Sequence, residues 1–124
     1  MELNEFFKSI IDQDHASVVI CNLEHTIIYM NPASINNYAK WGGAELVGKS
    51  LLNCHNPNSN ELIKKAVDWF GQKTDNNKVH TFYNEKQNKD VYMIALRDEE
   101  KKLIGYYEKH EFRTKDSTPF YEFK

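Results

Sequence analysis

Cysteine is scarce in this chain. Cys21 and Cys54 are the only two in 124 residues, and their unmatched settings give no disulfide framework to hold a small core. Long apolar runs are absent, and each run present is far shorter than the roughly 20 residues of a membrane span. Positive charge is not in excess: a formal net charge of −2 leaves no basic footprint for nucleic acid or an anionic membrane. The first eleven residues carry Glu2 and Glu5 and no basic stretch ahead of their apolar positions, so no secretory signal is read there. There is no internal repeat, no Ser-His-Asp arrangement, no glycine-rich phosphate cradle and no paired-carboxylate motif. Together these absences predict a cytoplasmic protein that is not an enzyme.

What is present is an ordinary globular composition, 40% hydrophobic and 27% charged, on a length that suits one domain with one core. Leu3, Phe6, Phe7, Ile10 and Ile11 recur at helical spacing opposite Glu2, Lys8 and Asp12, which predicts an amphipathic helix within residues 1–14. Strands are expected over His15–Asn22 and Thr26–Met30. Asn31 then caps a short helix that has Pro32 in its first position. Residues 33–56 read as short turns broken at Gly42-Gly43 and Gly48. The longest helix is expected over Ser59–Phe70, capped by Asn58 with Glu61 and stopped at Gly71. Strands Lys78–Asn84, Asp90–Arg97 and Leu103–Phe112 complete a domain over residues 15–112, with a tail over 113–124 broken at Asp116–Pro119. The fold class is α+β: a five-stranded antiparallel sheet with helices on one face and an N-terminal cap helix.

The predicted strands are apolar on both sides. Ile27 and Tyr29 oppose Ile28 and Met30, and Val91, Met93 and Ala95 oppose Tyr92, Ile94 and Leu96. A sheet with one wet face alternates apolar with polar. Both faces therefore need cover, and the N-terminal helix, a second subunit or both must supply it for the face the main helices leave open. A homodimer is expected in which Phe6, Phe7, Ile10 and Ile11 pack on that face or across the subunit interface.

The run Val18–Ser50 places a strand, a polar turn at Asn22–His25, a second strand, Asn31-Pro32 and the step Glu45-Leu46-Val47-Gly48-Lys49 in one order. That order resembles the first half of a PAS domain, and the likeness extends from about His15 to Phe112. It implies a sensory or ligand-binding module that signals through protein–protein interaction. Asn22 and His25 stand where the family often has Asp and Gly. Lys109-His110-Glu111-Phe112-Arg113 replaces the Asp-Ile-Thr signature at the end of many members, which points to a separate signalling partner protein.

The resemblance also implies an internal cavity, with Tyr38, Trp41, Cys54, His55, Ile63, Val67 and His80 as candidate ligand contacts. Trp69, Phe70, Phe82 and Tyr83 add aromatic bulk around it, which serves a filled core equally well. His55 admits two readings: an axial ligand to haem iron, or the commoner histidine that hydrogen-bonds backbone in an irregular connection. Asn53-Cys54 matches part of the flavin-binding LOV pattern, but His55-Asn56-Pro57-Asn58 replaces its Arg-Phe-Leu-Gln continuation, so flavin is disfavoured. His80, Glu108 and His110 fall on strands without metal-ligand spacing and are expected at solvent-facing or rim positions, with no metal. The N-terminus of the long helix favours an anionic ligand beside His55. A sensor that binds haem through His55, and a dimerisation adaptor with a filled core, are the alternative functions.

Overall fold

Asparagine followed by proline starts both of the helices that cover the sheet. Asn31 accepts a hydrogen bond from the Ser34 N–H at 3.0 Å and opens α2, Pro32–Asn37. Asn56 does the same for the Ser59 N–H at 2.8 Å and opens α3, Pro57–Gln72. Each asparagine has extended backbone, as a residue before proline prefers, and each proline occupies a first-turn position where its missing N–H costs nothing. The long helix thus begins at Asn56 and Pro57, ahead of the expected Asn58 cap. It also runs through Gly71. Distant side chains close its end instead, with Asn76 Nδ2 donating to the Trp69 carbonyl at 2.8 Å and Arg97 Nη2 to the Phe70 carbonyl at 2.7 Å.

The computed structural model describes residues 2–121 and 123. Met1 of the predicted N-terminal segment and Glu122 and Lys124 of the predicted tail lie outside them. Helix α1 is Leu3–Gln13, and the strands are β1 Ser17–Asn22, β2 Ile27–Met30, β3 Lys78–Asn84, β4 Lys89–Arg97 and β5 Leu103–Phe112. Three single turns of tight helix, Ala39–Trp41, Gly43–Leu46 and Leu51–Cys54, join α2 to α3. The five strands form one antiparallel sheet in the order β2-β1-β5-β4-β3.

Register fixes which side chains meet. Ser17 pairs with His110, Val19 with Glu108 and Cys21 with Tyr106 across β1 and β5, while Val91 and Met93 of β4 pair with His110 and Glu108. These residues share the face covered by α2, α3 and the short turns. Their apolar members join Ile27, Met30, Leu46, Leu51, Ile63 and Phe70 in the core. Full burial of a side chain such as Phe70 stabilises the fold by about 1.5–3 kcal/mol. At Gly105 the strands leave no room for any side chain, since a Cβ there would stand 2.3 Å from the Cys21 carbonyl oxygen.

β2 departs from the expected alternation. Register shifts between Ile20 and Cys21, so Ile27 and Met30 both point into the core while Ile28 is exposed. The turn before it is held by Asn22, whose side-chain oxygen accepts from the Glu24 N–H at 2.9 Å and the Thr26 N–H at 3.0 Å. His25 takes the left-handed conformation, φ 66°, that such a turn usually gives to glycine or asparagine. Its Nδ1 meets the Tyr106 hydroxyl at 2.9 Å.

α1 is tied down at its C-terminal end. Asn31 Nδ2 donates to the carbonyls of Ile11 and Ala16, each at 2.9 Å, and the Tyr29 hydroxyl donates to Asp12. Its apolar stripe stays uncovered: Leu3, Phe6, Phe7 and Ile10 are exposed, and Ile11 is half-buried. Ile20, Tyr29, Tyr92, Ile94 and Tyr107 lie half-buried on the sheet face opposite the core. No helix among the described residues is long and apolar enough to cross a membrane. After Phe112 the described residues form no regular element, and Phe120, Tyr121 and Phe123 are exposed.

Candidate functional site

The β5 alternation that sends Tyr106 into the core sends Glu108 and His110 there too. Glu108 is only 5% exposed, which corrects the expectation of a rim or solvent-facing position. The expectation failed because its partners come from distant parts of the chain. Tyr38, at the C-terminal end of α2, donates its hydroxyl to Glu108 Oε1. His110 Nε2 lies 3.0 Å from the same oxygen. His55 follows the turn Leu51–Cys54 and brings Nε2 to 3.6 Å from Oε2, while its Nδ1 meets the Leu51 carbonyl at 3.1 Å. His110 Nδ1 is buried with no hydrogen-bond partner.

Burial by itself would push the Glu108 carboxyl up, because the core disfavours charge. The His110 hydrogen bond and the neighbouring His110 and His55 imidazoles outweigh burial, and the carboxyl is held well below the usual carboxylate range. In return, the facing Glu108 carboxylate raises the pKa of His55 above its ordinary value, against the opposing effect of burial. Tyr38 is pushed up by burial and by the charge of Glu108, so it remains a donor. Lys89, also buried, offers Nζ to Asn37 Oδ1 at 3.3 Å, and burial lowers its pKa.

This cluster forms the inner end of a cavity of about 570 Å³ between α3 and the β3–β4 side of the sheet. Ile63 and Ala66 of α3, Val79 of β3, and Val91 and Met93 of β4 provide apolar walls. At the mouth stand Leu62, 58% exposed, and Phe82, 61% exposed, with Ser59 and Lys65 on the helix side. A shift of register between His80 and Phe82 shapes this rim, and Thr81 Oγ1 donates to the Val91 carbonyl at 3.0 Å.

Of the seven candidate ligand contacts, Tyr38, His55, Ile63 and His80 border this cavity. His80 does so only at its edge. Its ring lies 5.0 Å from that of Tyr92, and its Nε2 is 2.8 Å from Asp90 Oδ1. Cys54 and Val67 pack against the core instead of bordering the cavity. Trp41 is 52% exposed, with Lys40 Nζ 5.2 Å from its ring centre, and forms no wall. Trp69 and Tyr83 are likewise exposed, and Phe70 is filled core. Glu108, His110, Leu62, Val79 and Met93 were not among the candidates. The signal for Glu108 and His110 lay in their alternation with Tyr106, which becomes decisive once the register against Val19 and Cys21 is known.

A haem iron takes the lone pair of a neutral imidazole. With Nδ1 held by the Leu51 carbonyl, the nitrogen left for iron is Nε2, and it faces the buried Glu108 carboxylate at 3.6 Å, so these residues do not fit haem at this position. Among the described residues, no group of three or more His, Cys, Asp or Glu side chains is arranged to hold a metal ion. The expected preference for an anion beside His55 also meets a difficulty, because Glu108 already places negative charge there.

Comparison of the sequence with protein-family models and with curated proteins finds no match. Comparison with solved structures does. The PAS domain of a protein from Colwellia psychrerythraea is similar over 90% of this chain and 97% of its own, with a TM-score of 0.67 at 14% identity. The C-terminal domain of a protein from Streptococcus mutans covers 88% of this chain and 84% of its own, with a TM-score of 0.66 at 21% identity. The Aer2 receptor from Vibrio cholerae, described as a dual PAS-heme oxygen sensor, covers 77% of this chain and 91% of its own, with a TM-score of 0.53 at 18% identity. The chain has the PAS fold.

Proposed function

We propose that this PAS-fold chain is a cytoplasmic sensory module, without catalytic activity, that binds a small molecule between α3 and the sheet and signals through protein partners. The observation that carries the reading is the 570 Å³ cavity with Glu108, His55, His110 and Tyr38 at its inner end. A core built only to be filled has no need of a buried carboxylate, because well-packed apolar side chains of similar volume commonly serve stability as well or better. Apolar walls around a few converging polar groups are the usual make-up of a ligand site. This favours a ligand over the adaptor with a filled core. The name of the Vibrio cholerae receptor adds that a chain of this fold can serve as a sensor.

The homodimer belongs to the same proposal. Leu3, Phe6, Phe7 and Ile10 form an exposed helical stripe on a chain whose outer sheet face is also rich in apolar and aromatic side chains. A second copy covers both. Native mass spectrometry of freshly purified protein, compared with its denatured mass, tests the reading. The expected result is a dimer that carries a small molecule lost on denaturation. A monomer with no bound mass, which also fails to take up any member of a small-molecule library, would overturn it.

A further inference from the structure

Hydrogen bonding at Glu108 is unequal between its two oxygens. Oε1 receives both the Tyr38 hydroxyl and His110 Nε2, and so uses its two lone pairs. Oε2 has only His55 Nε2, at 3.6 Å, longer than a hydrogen bond. His55 is fixed from its other side by the Leu51 carbonyl, so the ring is not free to close that distance by turning. A polar pair held this far apart is where a third group, a water or a ligand atom, bridges. The bridging group must accept from His55 Nε2 and donate to Glu108 Oε2.

We infer that the cavity selects an uncharged amphipathic molecule, an alcohol or primary amide on an apolar body, whose head sits between His55 Nε2 and Glu108 Oε2. This rests on the reading that the cavity binds a small molecule. The head is uncharged because the bridge has charge of both signs within reach of one atom. An anionic head would lie against the Glu108 carboxylate, and a cationic head against the His55 imidazolium. Neither nearby lysine alters this balance: Lys89 is directed at Asn37, and Lys65 stands at the solvent-exposed rim where its field is screened. The body is apolar because Ile63, Ala66, Val79, Val91 and Met93 line the way from this head site to the mouth.

An isosteric series tests the inference: n-octanol, octanoate and octylammonium, titrated calorimetrically against the full chain and against Ala66→Phe, which puts a ring into the cavity from its α3 wall. Support is n-octanol binding about tenfold or more tighter than either ion, with that binding lost in Ala66→Phe. If octanoate or octylammonium binds as tightly as n-octanol and Ala66→Phe abolishes it, the inference falls and the ligand-binding reading stands. If none of the three binds, or if Ala66→Phe leaves every affinity unchanged, both fall. Two variants probe the charges directly. Glu108→Gln should improve octanoate by about tenfold, and His55→Gln should do the same for octylammonium. Unchanged selectivity in a folded member of that pair overturns the inference.

Discussion

Tyr38 donates its hydroxyl to Glu108 Oε1 and so joins two residues 70 positions apart, one at the end of α2 and one at the centre of β5. Removing that hydroxyl leaves a buried carboxylate with one donor fewer. Tyr38→Phe should cost about 1.5–3 kcal/mol in urea denaturation, the range for a hydrogen bond to a charged group. Combined with Glu108→Gln, the loss should be clearly less than the sum of the two single effects. Strict additivity would show that the two side chains do not act as a unit.

The His55–Glu108 pair sets a direction for pH dependence. Glu108 has a depressed pKa, so its contribution is present above its unfolded value of about 4.5 and is lost only in strong acid. His55 has a raised pKa, so its contribution is complete below its unfolded value of about 6.5 and disappears as pH rises through the higher folded value. Thermal melting should therefore separate the wild type from His55→Gln most at about pH 6, with the gap narrowing as pH rises from there. A gap that widens with pH would reverse the assigned sign.

Arg97 is expected to matter for α3 more than its place at the end of β4 suggests. Its Nη2 donates to the carbonyls of Phe70 at 2.7 Å, Asn76 at 3.1 Å and Lys73 at 3.2 Å, and its Nε to Asn77 Oδ1 at 2.8 Å. Arg97→Met should cost about 2 kcal/mol and speed amide exchange selectively in the last turn of α3. Uniform acceleration throughout the helix would instead indicate general destabilisation.

Assembly can be tested at the exposed stripe of α1. Phe7→Glu combined with Ile10→Lys should shift the sedimenting species from dimer to a monomer that still folds, because neither side chain is buried within the chain. An unchanged sedimentation coefficient would remove α1 from the interface.

The elements with local signals were legible in the sequence. β3 and β5 begin and end where turn residues and alternation place them, and the Asn31-Pro32 start of α2 follows from capping and proline stereochemistry alone. The same signal was present at Asn56-Pro57 and marked the true start of α3, but the capping-box spacing of Asn58 and Glu61 competed with it. Gly71 failed as a stop because Arg97 and Asn76, both outside the helix, satisfy its last carbonyls. Ile28 fell on an unexpected side because a bulge changes the count along β2 without leaving a composition signature. The site was the least legible part. Glu108 in a strand reads as a surface residue unless Tyr38, His55 and His110 are known to converge on it, and that convergence is a property of register and topology.

The pairing of Ser17 with His110 has a practical meaning. The central strand β5 and its neighbour β1 run in opposite directions, so the polypeptide enters β1 and leaves β5 at the same end of the sheet. Linkers joined directly to Ser17 and to Phe112 would start side by side, not across the width of the domain. The domain could therefore be spliced into a surface loop of a host protein with short linkers, and a strain applied between its two ends would pull on the β1–β5 seam like a zipper, one pair of hydrogen bonds at a time.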